Sequence, residues 1–170
     1  GIPRLEILGI HTMFGAETKS LRGENIVITR TEKSAEKALA LEDLFYKYGA
    51  KLTQATASEH DARAAFVQAL VHFASLCVAD VIPESFPSPK DIEPYSTPNS
   101  RAILEVGSRV LRQNKELLAD LQLLNLEYPR VRHKFVETVS RLSQALDNGD
   151  IETYLQTIEE AKKFLNSSSC

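Results

Sequence analysis

The sequence has only two cysteines in 170 residues, Cys77 and Cys170, far apart. That excludes a disulfide framework, a cysteine metal knuckle and a C-x-x-C redox pair, and sets the expectation of a reduced, cytoplasmic protein. No apolar run approaches the ~18–20 residues that span a bilayer, so no membrane partner is expected. The opening GIPRLEILGIH lacks the basic stretch and long apolar core of a secretory signal. Lysine and arginine are scattered and the net charge is −3, so no nucleic-acid partner is expected. His11, His60, His72 and His133 lack ligand spacing, and no metal is expected. There is no G-x-S-x-G elbow, no internal repeat, and no G-x-G-x-x-G after a strand. What remains is an ordinary globular composition, 43% hydrophobic and 25% charged, long enough for one or two small domains.

The first 57 or so residues alternate between strand and helix patterns. LEILGI at 5–10 is a short apolar run that reads as a buried strand, with His11 and the loop TMFGAET at its C-terminal end. In open α/β sheets that end carries ligands. Gly15 and Gly23 bracket a loop. NIVITR at 25–30 is rich in β-branched residues and reads as a second strand. Thr31 is placed to cap a helix whose apolar face is Ala38, Leu41, Leu44, Phe45 and Tyr48, with Gly49 as its C′ residue. KLTQAT at 51–56 reads as a third strand, so strand, helix and strand form a parallel βαβ unit. One helix leaves a sheet face uncovered, which parallel sheets avoid.

Residues 58–170 are expected to be all helix apart from the proline-rich 83–100, which reads as a loop or irregular crossover. In SEHDARAAFVQALVHF at 58–73, Ser58 and Asp61 fit a capping box. Ala62, Ala65, Phe66, Ala69, Leu70, Phe73, Leu76 and Cys77 then recur at helical spacing as one apolar stripe. Three more apolar sets follow, around Val106 and Val110, around Val131 and Phe135, and from Ile151 to Leu165. Gly149 separates the last two. The tail NSSSC is expected to fray.

Three stretches resemble the prephenate dehydrogenase family, in the right order over about residues 7–122. HTMFG at 11–15 is similar to the family's H-P-M-F-G. EHD at 59–61, followed by A-x-x-Q-A-L-x-H-F, is similar to its helical motif. RAILEVGSRVLRQNKELLAD at 101–120 is similar to its arginine-bearing segment. The resemblance implies a mixed fold: the C-terminal part of a Rossmann-like α/β domain (1–57), then an all-α helical dimerisation domain (58–170). It implies oxidative decarboxylation of prephenate to 4-hydroxyphenylpyruvate with NAD or NADP in tyrosine biosynthesis. The glycine-rich cofactor motif is not in this chain, so this chain is read as the C-terminal part of the enzyme. Arogenate as substrate, feedback by tyrosine, a homodimer, and fusion to chorismate mutase or prephenate dehydratase are also implied. The alternative is a non-catalytic helical module that kept an aromatic-ligand pocket.

The resemblance assigns His11 to the substrate hydroxyl, a task suited to an imidazole with a pKa near 6.5. The other reading is a strand-end histidine bonded to a carbonyl. Thr12 stands where relatives have proline. Arg109 is assigned to a substrate carboxylate, whose shape matches the guanidinium fork. Its other reading is an ion pair with Glu105. Arg101 also matches a family arginine, but eight helical residues are about 12 Å of rise. The two arginines therefore cannot share one carboxylate, and Arg101 is equally open to a structural role. His60 is assigned to the neighbourhood of the substrate side chain, or else is a solvated first-turn residue. Asp61 reads as a capping carboxylate and His72 as a satisfied core histidine.

Overall fold

The structure is a computed structural model that describes residues 7–31 and 36–167. The chain forms two compact units, residues 1–69 and 70–170. The division between them falls at Ala69/Leu70.

In the first unit, strands β1 (Leu8–Thr12), β2 (Asn25–Arg30) and β3 (Lys51–Ala55) form a sheet in the order β1-β2-β3. β2 and β3 are parallel and joined through helix α1 (Glu36–Lys47), which is the expected βαβ unit. Gly49, at φ +82°, ends α1. The amides of Gly49 and Ala50 return to the carbonyls of Tyr46 and Phe45 at 2.9 and 3.1 Å, closing a Schellman turn. A β-carbon at Gly49 would also lie 3.3 Å from Arg22 Cα. The expected cap by Thr31 involves the amides of residues 32–35, which lie outside the described residues. The Thr31 hydroxyl donates to the Ile7 carbonyl at 3.0 Å.

β1 runs antiparallel to β2. The Met13 amide donates to the Asn25 carbonyl at 3.0 Å, continuing the antiparallel pairing just past β1. His11 is therefore inside a strand, in register with Val27. It does not stand at the ligand-bearing end of a parallel strand, which corrects the reading from sequence.

Side chains alternate across the sheet. Ile26 and Ile28, both at 0% exposure, share one face and pack with Ala50, Phe45, Leu21 and Phe14. On α1, Glu42 is buried at 6% exposure. Its carboxylate accepts Nε and Nη2 of Arg30 at 3.0 and 2.7 Å and Nε2 of Gln54 at 3.1 Å. One carboxylate thus ties α1 to β2 and β3. His11 occupies the other face.

Helix α2 (Ala57–Ala64) starts two residues earlier than the sequence suggested. Thr56 is the cap: its hydroxyl accepts the Glu59 amide at 3.2 Å, and the Glu59 carboxylate accepts the Thr56 amide at 2.9 Å. Thr56-x-x-Glu59 outcompetes Ser58-x-x-Asp61 because it pairs the longer acid with the cap amide. Asp61 is thereby released from capping. The helix passes through a π-helical stretch at Ala65–Leu70 into α3 (Val71–Val81).

The second unit begins with α3. The proline-rich region is not a loop. It forms short turns at Ile82–Glu84, α4 (Pro89–Ile92) and Glu93–Tyr95, and then α5 (Pro98–Leu111). Each of these places its proline in the first turn, where the missing N–H has no helical partner to lose. α6 (Lys115–Leu123), α7 (Tyr128–Asp147) and α8 (Ile151–Asn166) follow. Residues 168–170 of the tail lie outside the described residues, as does Cys170.

α3 packs on α5 at Ser75 and Gly107, both buried. A β-carbon at Gly107 would meet the Ser75 carbonyl at 3.9 Å. Tyr128, at 0% exposure, anchors α7. Phe73 meets Tyr128 and Phe135 edge-on at 6.4 and 6.3 Å, and the Arg132 guanidinium lies 5.5 Å over the Tyr128 ring. Burial pushes the Tyr128 phenol up to about 12. Its hydroxyl is buried without a hydrogen-bond partner among the described residues.

Much of the expected stripe is not covered. Phe66 and Leu76 are 50% and 53% exposed, and Cys77 is exposed. The continuous helix Ala57–Glu84 is long and apolar enough to cross a membrane by length and composition alone. That corrects the reading that no segment qualifies; the few charged residues near its start had masked it. Its small residues Ala64, Ala65, Ala69 and Ser75 are buried against protein. Farther on, Leu124, Leu126 and Phe164 are 73%, 87% and 74% exposed.

Candidate active site

The local sequence places His60 through the helix start. β3 ends at Ala55, Thr56 caps, and the His60 amide is bonded to the Thr56 carbonyl at 2.9 Å. One helical turn from a fixed cap leaves its side chain little freedom of position. His11 is fixed by the register of β1 against β2. Residues 49 apart in sequence are thus brought together: His11 Nδ1 lies 2.7 Å from His60 Nε2, with ring centroids 4.9 Å apart at 63°.

His60 makes a second bond, from Nδ1 to Asp61 Oδ1 at 2.8 Å. Both of its ring nitrogens are therefore engaged. The side chains of His60 and Asp61 are 23% and 49% exposed. His11 is half-buried, and its Nε2 makes no hydrogen bond among the described residues. Burial, and secondarily the charge His60 can carry, hold the His11 pKa below its ordinary 6.5. At neutral pH this imidazole is uncharged and has a ring nitrogen available to accept a proton.

Asp61 is the member that the sequence reading missed. Its signal was its position directly after His60, read as capping instead. Arg109 and Arg101 belong to the second unit, on α5. Arg109 is exposed in the last turn, while its neighbours Gly107 and Val110 are buried. It makes no ion pair with Glu105 among the described residues, so that reading is set aside. Arg101 is exposed in the first turn, and its Nη1 donates to the Ser96 carbonyl at 3.4 Å. His72 is not the satisfied core histidine expected. Its Nδ1 is buried without a partner among the described residues, and burial lowers its pKa. Among the described residues no group of three or more His, Cys, Asp or Glu could hold a metal ion.

The family model described as "Prephenate dehydrogenase, dimerization domain" matches residues 56–160. A probable arogenate/prephenate dehydrogenase of Methanocaldococcus jannaschii is 26% identical over 165 residues, covering 96% of this chain and 37% of that protein. The 4-amino-4-deoxyprephenate dehydrogenase of Streptomyces pristinaespiralis is 27% identical over 164 residues, covering 96% and 54%. The chain thus spans from about a third to half the length of these curated relatives. Among solved structures, the prephenate dehydrogenase of A. aeolicus in complex with hydroxyphenyl propionate and NAD+ superimposes with a TM-score of 0.69 at 19% identity. That match covers 91% of this chain and 56% of that one, and shows the shared fold. With the family match spanning most of the helical sequence, and with the strand–helix–strand unit ahead of it, this chain belongs to the prephenate dehydrogenase family.

Proposed function

We propose that this chain is the C-terminal part of an NAD- or NADP-dependent prephenate or arogenate dehydrogenase, with His11 as its catalytic base. The observation that carries the proposal is the half-buried His11, held through Nδ1 by His60 at 2.7 Å and open at Nε2. In the reaction the substrate's ring hydroxyl loses its proton, the carbon bearing it loses hydride, and loss of CO₂ aromatises the ring. His11 Nε2 takes the hydroxyl proton. Its lowered pKa keeps it in the accepting form at neutral pH. Arg109, charged, exposed and unpaired among the described residues, is proposed to hold a substrate carboxylate. Arg101, already donating to Ser96, is proposed to hold the start of its own helix.

The described residues do not fit the pyrophosphate of a dinucleotide. The helix start after β3 is already capped by Thr56, and the Glu59 carboxylate on it would repel a phosphate. No glycine loop separates β3 from α2. The cofactor is therefore proposed to be held by a part of the enzyme other than this chain. A homodimer is proposed through the second unit, which leaves Leu124, Leu126, Phe164 and Leu165 at least two-thirds exposed.

The test is prephenate or arogenate oxidation by the natural-length polypeptide, followed by absorbance of reduced nicotinamide, beside His11→Asn. Turnover with a ~10²–10⁴-fold loss in the variant supports both the reaction and the base. Equal turnover removes His11 from the mechanism. No turnover with either substrate favours a ligand-binding module in place of an enzyme.

A further inference from the structure

We propose that Asp61, acting through His60, sets the tautomer of His11, so that His60 and Asp61 are positioning residues for the proton transfer and His60 is not a substrate ligand. The kinetic part of this proposal rests on the dehydrogenase reading above; the structural part does not.

Asp61, His60 and His11 form a chain of donors and acceptors. An ionised carboxylate only accepts hydrogen bonds. The 2.8 Å bond from Asp61 Oδ1 therefore requires the hydrogen on His60 Nδ1. A neutral His60 with its hydrogen on Nδ1 has a bare Nε2. That nitrogen lies 2.7 Å from His11 Nδ1, so His11 must supply the hydrogen there. A neutral His11 with its hydrogen on Nδ1 then has its lone pair on Nε2, the nitrogen left open. The opposite tautomer of His11 would set two lone pairs against each other across 2.7 Å.

The arrangement also supports the charged state. When a hydroxyl O–H breaks and the new N–H forms at His11 Nε2, the imidazolium keeps its Nδ1–H on His60. His60 keeps its own Nδ1–H on the Asp61 carboxylate. The electron pair left on oxygen becomes the carbonyl as hydride departs. A negative charge two bonds along the network thus faces the positive charge as it forms. The parts are rigidly based: His11 in a paired strand, and His60 and Asp61 in the turn fixed by the Thr56–Glu59 box. With both nitrogens engaged, His60 has none to offer a substrate.

The test combines two readouts. Ring-nitrogen NMR of the 170-residue chain, with His11 neutral, reads which nitrogen carries hydrogen. The expected result is hydrogen on Nδ1 of both His11 and His60. In Asp61→Asn the side-chain amide can donate to His60 Nδ1 instead. This reverses the chain of donors and puts the hydrogen of His11 on Nε2. In the natural-length polypeptide the same variant should lose ~10²-fold or more in kcat with KM little changed, because the base is lost and not the substrate. Asp61→Glu should restore part of kcat. Hydrogen on His11 Nε2 in the wild type overturns the proposal without needing any variant. So does an Asp61→Asn protein that keeps both the wild-type tautomer and the wild-type kcat. If no dehydrogenase activity exists, the kinetic arm fails with the functional reading, and the tautomer still decides this one.

Discussion

Removing the Tyr128 hydroxyl should stabilise the protein. Substitutions at a fully buried aromatic normally destabilise, so the sign is diagnostic. Tyr128→Phe keeps the ring, its edge contact with Phe73 at 6.4 Å and its place under Arg132 at 5.5 Å. What it removes is a hydroxyl buried without a partner among the described residues. Leaving such a group unsatisfied costs about 1–3 kcal/mol. Against that stands a void of one oxygen atom, roughly 10 Å³, which at about 24 cal/mol per Å³ takes back only about 0.2 kcal/mol. The expected gain is at least about 1 kcal/mol, or roughly 2–4 °C in Tm for a chain of this size. Urea unfolding by far-UV circular dichroism, with both proteins at one concentration, measures it. The variant should also lose an alkaline weakness. The phenol is raised in the fold to about 12 but titrates near 10 when unfolded, so wild-type stability is intact below about 10 and falls as pH rises toward 12. A variant less stable than wild type by more than ~0.5 kcal/mol would show that the hydroxyl is bonded in solution, and the reasoning would fail.

Three further outcomes are expected. Thr56→Ala should cost about 1 kcal/mol, whereas Ser58→Ala, at the position the sequence favoured as cap, should change stability little; paired thermal melts separate them. Glu42→Ala should cost about 3 kcal/mol, far more than an exposed pair, because it removes the anchor shared by Arg30 and Gln54; chemical denaturation of the chain reads this. Because the His11 pKa lies below 6.5 in the fold, kcat/KM should rise through a pKa under that value and be level at neutral pH. For the same reason stability is full above the unfolded value of about 6.5 and is lost as pH falls through the folded one, which acid titration of the melting temperature would show.

The local rules carried far in this sequence. β2, α1, Gly49 and β3 form the βαβ unit that strand propensity, helical spacing and the C′ glycine indicate, although Leu44 and Tyr48 of the expected apolar face are 45% and 59% exposed and Glu42 is buried in their place. Helices form after Ser100 where apolar residues recur, but many of those residues, among them Ile103, Val139, Leu155 and Phe164, are at least half exposed. What failed depended on competition or on distant partners. Two overlapping capping boxes compete for one helix start, and spacing alone does not rank Thr56–Glu59 above Ser58–Asp61. The prolines of 83–100 read as breakers, yet Pro83, Pro89, Pro94 and Pro98 each sit in the first turn of a short helical piece. The Glu42 anchor was invisible, since Arg30 and Gln54 reach it only once the βαβ unit has closed. In the site, His11 and His60 were both legible, but their 2.7 Å contact depends on β1 running antiparallel. Once that contact is known, the meaning of Asp61 follows from chemistry.

With β2 in the middle, the sheet has a rim on each side. Among the described residues the outer rim of β3 is a row of backbone N–H and C=O groups with no strand beside it. Such a row is a template for a further strand, and its cheapest neighbour in concentrated solution is another copy of itself. Lys51, Thr53 and Gln54 are exposed along β3, which makes the rim polar without closing it. Edge-to-edge pairing of two copies along this rim is therefore the association to guard against when the protein is concentrated.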